Sequence, residues 1–139
     1  MGRILAIDYG TKRVGLAVSD PLQIIATALT TVPTQELLSY LQGYMAREEV
    51  EVLVVGLPKK LNAEDTNNTA PVKAFVKQLE KVFPHIPIRL VDERFTSKIA
   101  LDTMIAGGSK KKDRRDKGRL DKISATIILQ SYMESISNL

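Results

Sequence analysis

Two apolar runs with a short polar turn between them constrain this chain more than any other feature. The runs are Ile4-Leu5-Ala6-Ile7 and Val14-Gly15-Leu16-Ala17-Val18, and the turn is Asp8-Tyr9-Gly10-Thr11-Lys12-Arg13. Runs without polar alternation suit strands covered on both faces. Asp and Gly in close succession mark a tight turn, so residues 4–20 are predicted to form two strands joined by it. Asp8 shares a strand face with Ile4 and Ala6, because side chains repeat every two residues. A carboxylate at the end of a buried strand is costly to desolvate unless a hydrogen-bond donor or a cation meets it. Two readings stay open here: an aspartate bonding its own turn, or a ligand for a divalent cation.

The rest of the chain extends this start. Residues 23–32, rich in β-branched side chains, are predicted as a third strand ended by Pro33. Thr34 is the predicted N-cap of a helix whose apolar positions are Leu37, Leu38, Leu41, Tyr44 and Met45. Residues 51–56 read as a fourth strand, and a helix from Thr69 carries Val72, Phe75, Val76, Leu79, Val82 and Phe83. Residues 88–91 form a fifth strand leading into Asp92-Glu93-Arg94. Thr96 caps a further helix stopped by Gly107-Gly108, and residues 120–136 form the last one, with Ile123, Ile127 and Ile128 inward. The expected fold class is α/β: one domain over residues 1–139, in which an antiparallel meander and βαβ crossovers build a mixed five-stranded sheet flanked by helices.

Composition narrows the chemistry. The chain has no cysteine and a single histidine, His85, which excludes thiolate metal sites and argues against a zinc site or a Ser-His-Asp triad. A metal here would be oxygen-ligated, favouring Mg²⁺ or Mn²⁺. No apolar run approaches a membrane span, and Asp8 interrupts any signal-peptide core, so a cytoplasmic protein is expected. The net charge of +4 is carried by one stretch, residues 107–118, with six Lys/Arg and two Asp; the remaining basic and acidic residues balance. Lys110, Lys111, Lys112, Arg114 and Arg115 are so concentrated that a flexible basic loop for polyanions is expected.

Three acids stand at the ends of predicted elements: Asp8 after the first strand, Glu93 after the fifth, and Asp121 at the start of the last helix. Each has a plain structural account. Glu93 can pair with Arg94 or Lys98, and Asp121 can be a first-turn acid favoured by the helix dipole. Together, at one sheet edge, they make a site for hard cations, and two such ions can clamp the attacking and leaving oxygens of a phosphodiester. Lys12, Arg13 and Arg94 stand beside these acids as candidate phosphate contacts.

The segments DYGTKRVGLAVSD, VGLP at Val55 to Pro58, DERFTS at Asp92 to Ser97 and LDKISATIILQSY at Leu120 to Tyr132 resemble the YqgF/RuvX family. The resemblance runs nearly end to end. It implies an RNase H-like fold whose second strand is antiparallel to the rest, and it implies that Asp8, Glu93 and Asp121 are the catalytic, metal-binding acids. It departs at Ser124, where alanine is usual, and at Ala63, where many members have glycine. The family is described as nucleases of pre-16S rRNA, also called Holliday junction resolvases. The expectation is a Mg²⁺- or Mn²⁺-dependent nuclease acting on structured nucleic acid, pre-16S rRNA ahead of branched DNA, as a monomer or weak homodimer. The alternatives are a junction resolvase and a non-catalytic RNA- or ribosome-binding module; a sugar-kinase or actin-like protein would need a second such domain, for which 139 residues leave no room.

Overall fold

A computed structural model describes residues 2–57, 69–92 and 117–137. The elements run β1 (Arg3–Asp8), β2 (Arg13–Ser19), β3 (Ala26–Pro33), a 3₁₀ turn (Thr34–Glu36), α1 (Leu37–Arg47), β4 (Val50–Leu57), α2 (Thr69–Val82), β5 (Ile88–Asp92) and α3 (Lys117–Ser137). The five strands form one sheet in the order β3-β2-β1-β4-β5. β2 is antiparallel to both β1 and β3, while β4 runs parallel to β1 and β5 parallel to β4. The expected mixed sheet with its second strand reversed is therefore present. The helix expected from Thr96 lies outside the described residues.

The two predicted apolar runs are continuous because both faces of the sheet are covered. On one face Leu5, Ile7, Leu16, Leu53 and Val55 pack with Leu37, Leu41 and Tyr44 of α1 and Val72, Phe75 and Leu79 of α2. On the other, Ile4, Ala6, Ala17 and Val54 meet Ala125, Ile128 and Leu129 of α3. Truncating a central residue such as Leu53, fully buried, to alanine costs about 2–5 kcal/mol.

Three expectations need correction. β3 begins at Ala26, because residues 20–25 fold into a turn organised by Asp20. The Asp20 carboxylate accepts the backbone N–H groups of Leu22 (3.1 Å), Ile24 (2.7 Å) and Ile25 (2.7 Å). Gln23 sits at a left-handed φ of 58°, and its side chain donates to the Gly2 carbonyl at 2.8 Å. Turn chemistry thus overrides β propensity, and Leu22, Ile24 and Ile25 are left exposed.

On α3, the inward positions are Ser124, Ala125, Ile128 and Leu129, while Ile123 and Ile127 are only half-buried. Alanines on both partners allow the helix to sit close to the sheet, so small residues share its inner stripe with Ile128 and Leu129. On α2, Val82 is exposed rather than inward, because it is the last helical residue.

Candidate active site at the carboxyl edge of the sheet

Asp8 is the last residue of β1, opposite Gly15 of β2 and half-buried. It shares the strand face of Ile4 and Ala6, which is the face covered by α3. On the other side of β1, Ile7 is in register with Val55 of β4, and β4 in turn aligns Leu57 with Asp92 of β5. β1, β4 and β5 therefore end along one edge, with the ends of β1 and β5 about 10 Å apart across β4. Ligand sites of sheets with parallel strands collect at such edges.

Glu93 follows Asp92 directly and, with Arg94, lies outside the described residues. So do Lys110, Lys111, Lys112, Arg114 and Arg115. Asp121 lies within α3, the helix that covers Asp8's face, but its side chain is also outside the described set. Among the described residues no three acids or histidines are grouped to hold a metal ion. The helix starts at Lys117, earlier than expected, so Lys117 and Gly118 belong to it and not to the basic loop. Asp121 is consequently its fifth residue, and the first turn carries no acid. The dipole's influence falls off within the first turn, which weakens the reading of Asp121 as a simple dipole partner.

The turn after Asp8 is anchored from three directions. The Tyr9 ring stacks on Phe75 of α2, with centroids 4.6 Å apart and planes at 21°. The Thr34 hydroxyl donates to the Gly10 carbonyl at 2.6 Å, and the Thr34 N–H donates to the Lys12 carbonyl at 3.1 Å. At Gly10 a Cβ would overlap the Arg13 carbonyl oxygen, so glycine is required there by close backbone approach. Lys12 is exposed beyond the turn, and Arg13 opens β2 opposite Pro33.

Thr34 does not cap a helix as the sequence suggests. No side-chain bond caps the 3₁₀ turn or α1, and the hydroxyl serves the Asp8 turn instead.

Asp20, an aspartate at the other end of β2, is set apart from the site by its bonds. The Ile25 N–H, joined by those of Ile24 and Leu22, holds its carboxyl below the ordinary value of 3.8, against a smaller opposing effect of burial. A depression of about 410 Å³ lies beside that turn, lined by Ile24, Ile25, Ala26, Gln130, Met133 and Glu134. It sits where β3 begins, away from Asp8. No helix among the described residues is long and apolar enough to cross a membrane.

The sequence profile of the family described as RuvX, Holliday junction resolvase, matches residues 2–135. A Bacteroides thetaiotaomicron protein named "Putative pre-16S rRNA nuclease" is 57% identical over 135 residues, covering 97% of this chain and 98% of its own. A Porphyromonas gingivalis protein of the same name is 53% identical over 135 residues, with 97% and 98% covered. Among solved structures, Thermus thermophilus RuvC in complex with a Holliday junction substrate superposes with a TM-score of 0.56 at 18% identity, covering 96% of each chain. At that identity the likeness concerns the fold, which is the RNase H-like one expected from the sequence.

Proposed function

The chain belongs to the RuvX family, and from that membership we propose that it is a divalent-metal-dependent nuclease that processes the precursor of 16S rRNA. The observation that carries this reading is the position of Asp8. It ends a central strand at the edge shared with β4 and β5, on the face covered by the helix that contains Asp121. Glu93, one residue past the end of β5, would be the third acid. An all-oxygen donor set in a chain without cysteine fits Mg²⁺ or Mn²⁺.

In this proposal Asp8, Glu93 and Asp121 hold the ions. When bound, the ions supply an activated water and stabilise the leaving oxygen of the phosphodiester. The chain's own groups do the rest. Lys12 and Arg13 on the turn and Arg94 beside Glu93 meet the phosphates flanking the scissile bond. The basic stretch before α3 grips the backbone further along through Lys110, Lys111, Lys112, Arg114 and Arg115. Such contacts position a strand without reading its bases, consistent with a chain in which aromatics make up only 5% of residues.

A second reading, resolution of branched DNA, is favoured by the description of the family itself. It needs two active sites on a two-fold dimer. The test is cleavage of a 16S precursor transcript and of a four-way DNA junction side by side, with solution mass measured. Metal-dependent cleavage of the transcript by a monomer, lost in Asp8→Asn, is the expected result. Preferential cleavage of the junction by a dimer would move the assignment to the second reading. Cleavage undiminished in Asp8→Asn would overturn both.

A further inference from the structure

Thr34 stands where β3 has just ended, yet both of its polar groups reach back to the turn that follows Asp8. Its hydroxyl meets the Gly10 carbonyl at 2.6 Å and its N–H meets the Lys12 carbonyl at 3.1 Å. Two bonds from one residue fix the carbonyls on either side of Thr11, so the turn moves with the end of β3. Pro33, at φ −58°, limits how far Thr34 itself can swing. Gly10 lies so close to the Arg13 carbonyl that a Cβ there would overlap it. Tyr9, stacked on Phe75, closes the remaining side. The residues between Asp8 and Arg13 thus have little freedom, and Thr34 supplies the only one of these anchors that combines a side-chain and a backbone donor.

We infer that Thr34 is a positioning residue for the active site: its grip on Gly10 and Lys12 sets where the Asp8 carboxylate and the Lys12 ammonium are presented to metal and phosphate. The inference rests on the nuclease reading. A hydroxyl that merely satisfied a carbonyl would contribute to stability and leave the kinetics of the folded enzyme alone. A positioning hydroxyl controls the geometry of a ligand one residue from the turn, where a displacement of about 1 Å costs up to roughly 10²-fold in rate.

The experiment compares wild type, Asp8→Asn, Thr34→Val, Thr34→Ala and Thr34→Ser. Three quantities are measured: kcat and KM on the 16S precursor transcript, calorimetric Mn²⁺ affinity without substrate, and thermal midpoint. Thr34→Val and Thr34→Ala are expected to lower kcat by about 10- to 10²-fold with KM little changed, as for a group acting in the transition state. Mn²⁺ affinity should fall in parallel, and Thr34→Ser should restore both. If Thr34→Val does not fold, Thr34→Ala, which introduces no bulk, carries the comparison. Wild-type kcat and Mn²⁺ affinity in Thr34→Ala, whatever its thermal midpoint, would overturn the positioning role and leave the nuclease reading intact. A wild-type protein that neither cleaves nor binds Mn²⁺ would overturn the nuclease reading, and the positioning role with it.

Discussion

The two ends of β2 carry two turns, each beginning at or next to an aspartate, and they are held in opposite ways. Residues 20–25 are organised from within: Asp20 gathers three backbone N–H groups of its own turn. Residues 9–12 are organised from without, by Thr34, by Phe75 and by the Arg13 carbonyl that excludes a side chain at Gly10. The first arrangement occupies the carboxylate. The second holds the backbone of the turn through groups outside it. Asp20 is set aside because its own turn engages its carboxylate, and Asp8 is placed at the centre of the proposed site because it ends a central strand at the edge shared with β4 and β5.

The sharpest test of the contrast is reciprocal. Asp8→Asn should reduce cleavage by more than the roughly 10–100-fold typical of losing a group that only orients a metal ligand. A loss no greater than in Asp20→Ala would break the distinction between the turns.

Next in size is the effect of charge beyond the turn. If about four cations of residues 107–118 contact phosphate, neutralising Lys110, Lys111, Lys112, Arg114 and Arg115 should flatten the log-log salt dependence of single-strand binding by roughly three units. Equal slopes in a salt titration would assign phosphate binding to Lys12 and Arg13 at the turn instead.

Gly10→Ala probes the outer anchoring directly. Its Cβ meets backbone rather than a side chain that can rotate away, so a cost of about 1–3 kcal/mol in denaturant unfolding is expected, with a loss of cleavage alongside. Wild-type stability would mean that the turn is looser than its contacts indicate.

The smallest effect belongs to the self-held turn. Asp20 has a carboxyl pKa lowered by folding, first through the Ile25 N–H. Its contribution to stability is therefore present above the ordinary value of 3.8 and is lost as the pH falls below it toward the folded value. Asp20→Ala should lower the thermal midpoint at neutral pH, leave kcat unchanged, and reduce the fall in stability on acidification. A change in kcat would show that this turn communicates with the site after all.

Much of the fold was legible because strands covered on both faces advertise themselves as unbroken apolar runs. The regions 4–7, 14–18 and 51–56 all sit where such runs predict. Residues 23–25 misled because Ile24 and Ile25 look like strand, while the decisive signal was one carboxylate three to five residues upstream. The stripe of α3 misled because its isoleucines drew attention from the buried Ser124 and from Ala125, whose smallness suits its packing with Ala6 and Ala17. At the site, Asp8 was legible as an acid misplaced at the end of an apolar strand. Thr34 was not, because a threonine before a helix carries the same sequence signature whether it caps the helix or bonds a turn distant in sequence, here Gly10.

The packing of α3 also fixes from which side its acid is held. Asp121 lies four residues, about 6 Å along the axis, before Ala125, and from Ala125 the contact with the sheet continues through Ile128, Leu129, Tyr132 and Met133. The backbone at Asp121 is therefore positioned by the stretch that follows it, as a cantilever is by its clamped length.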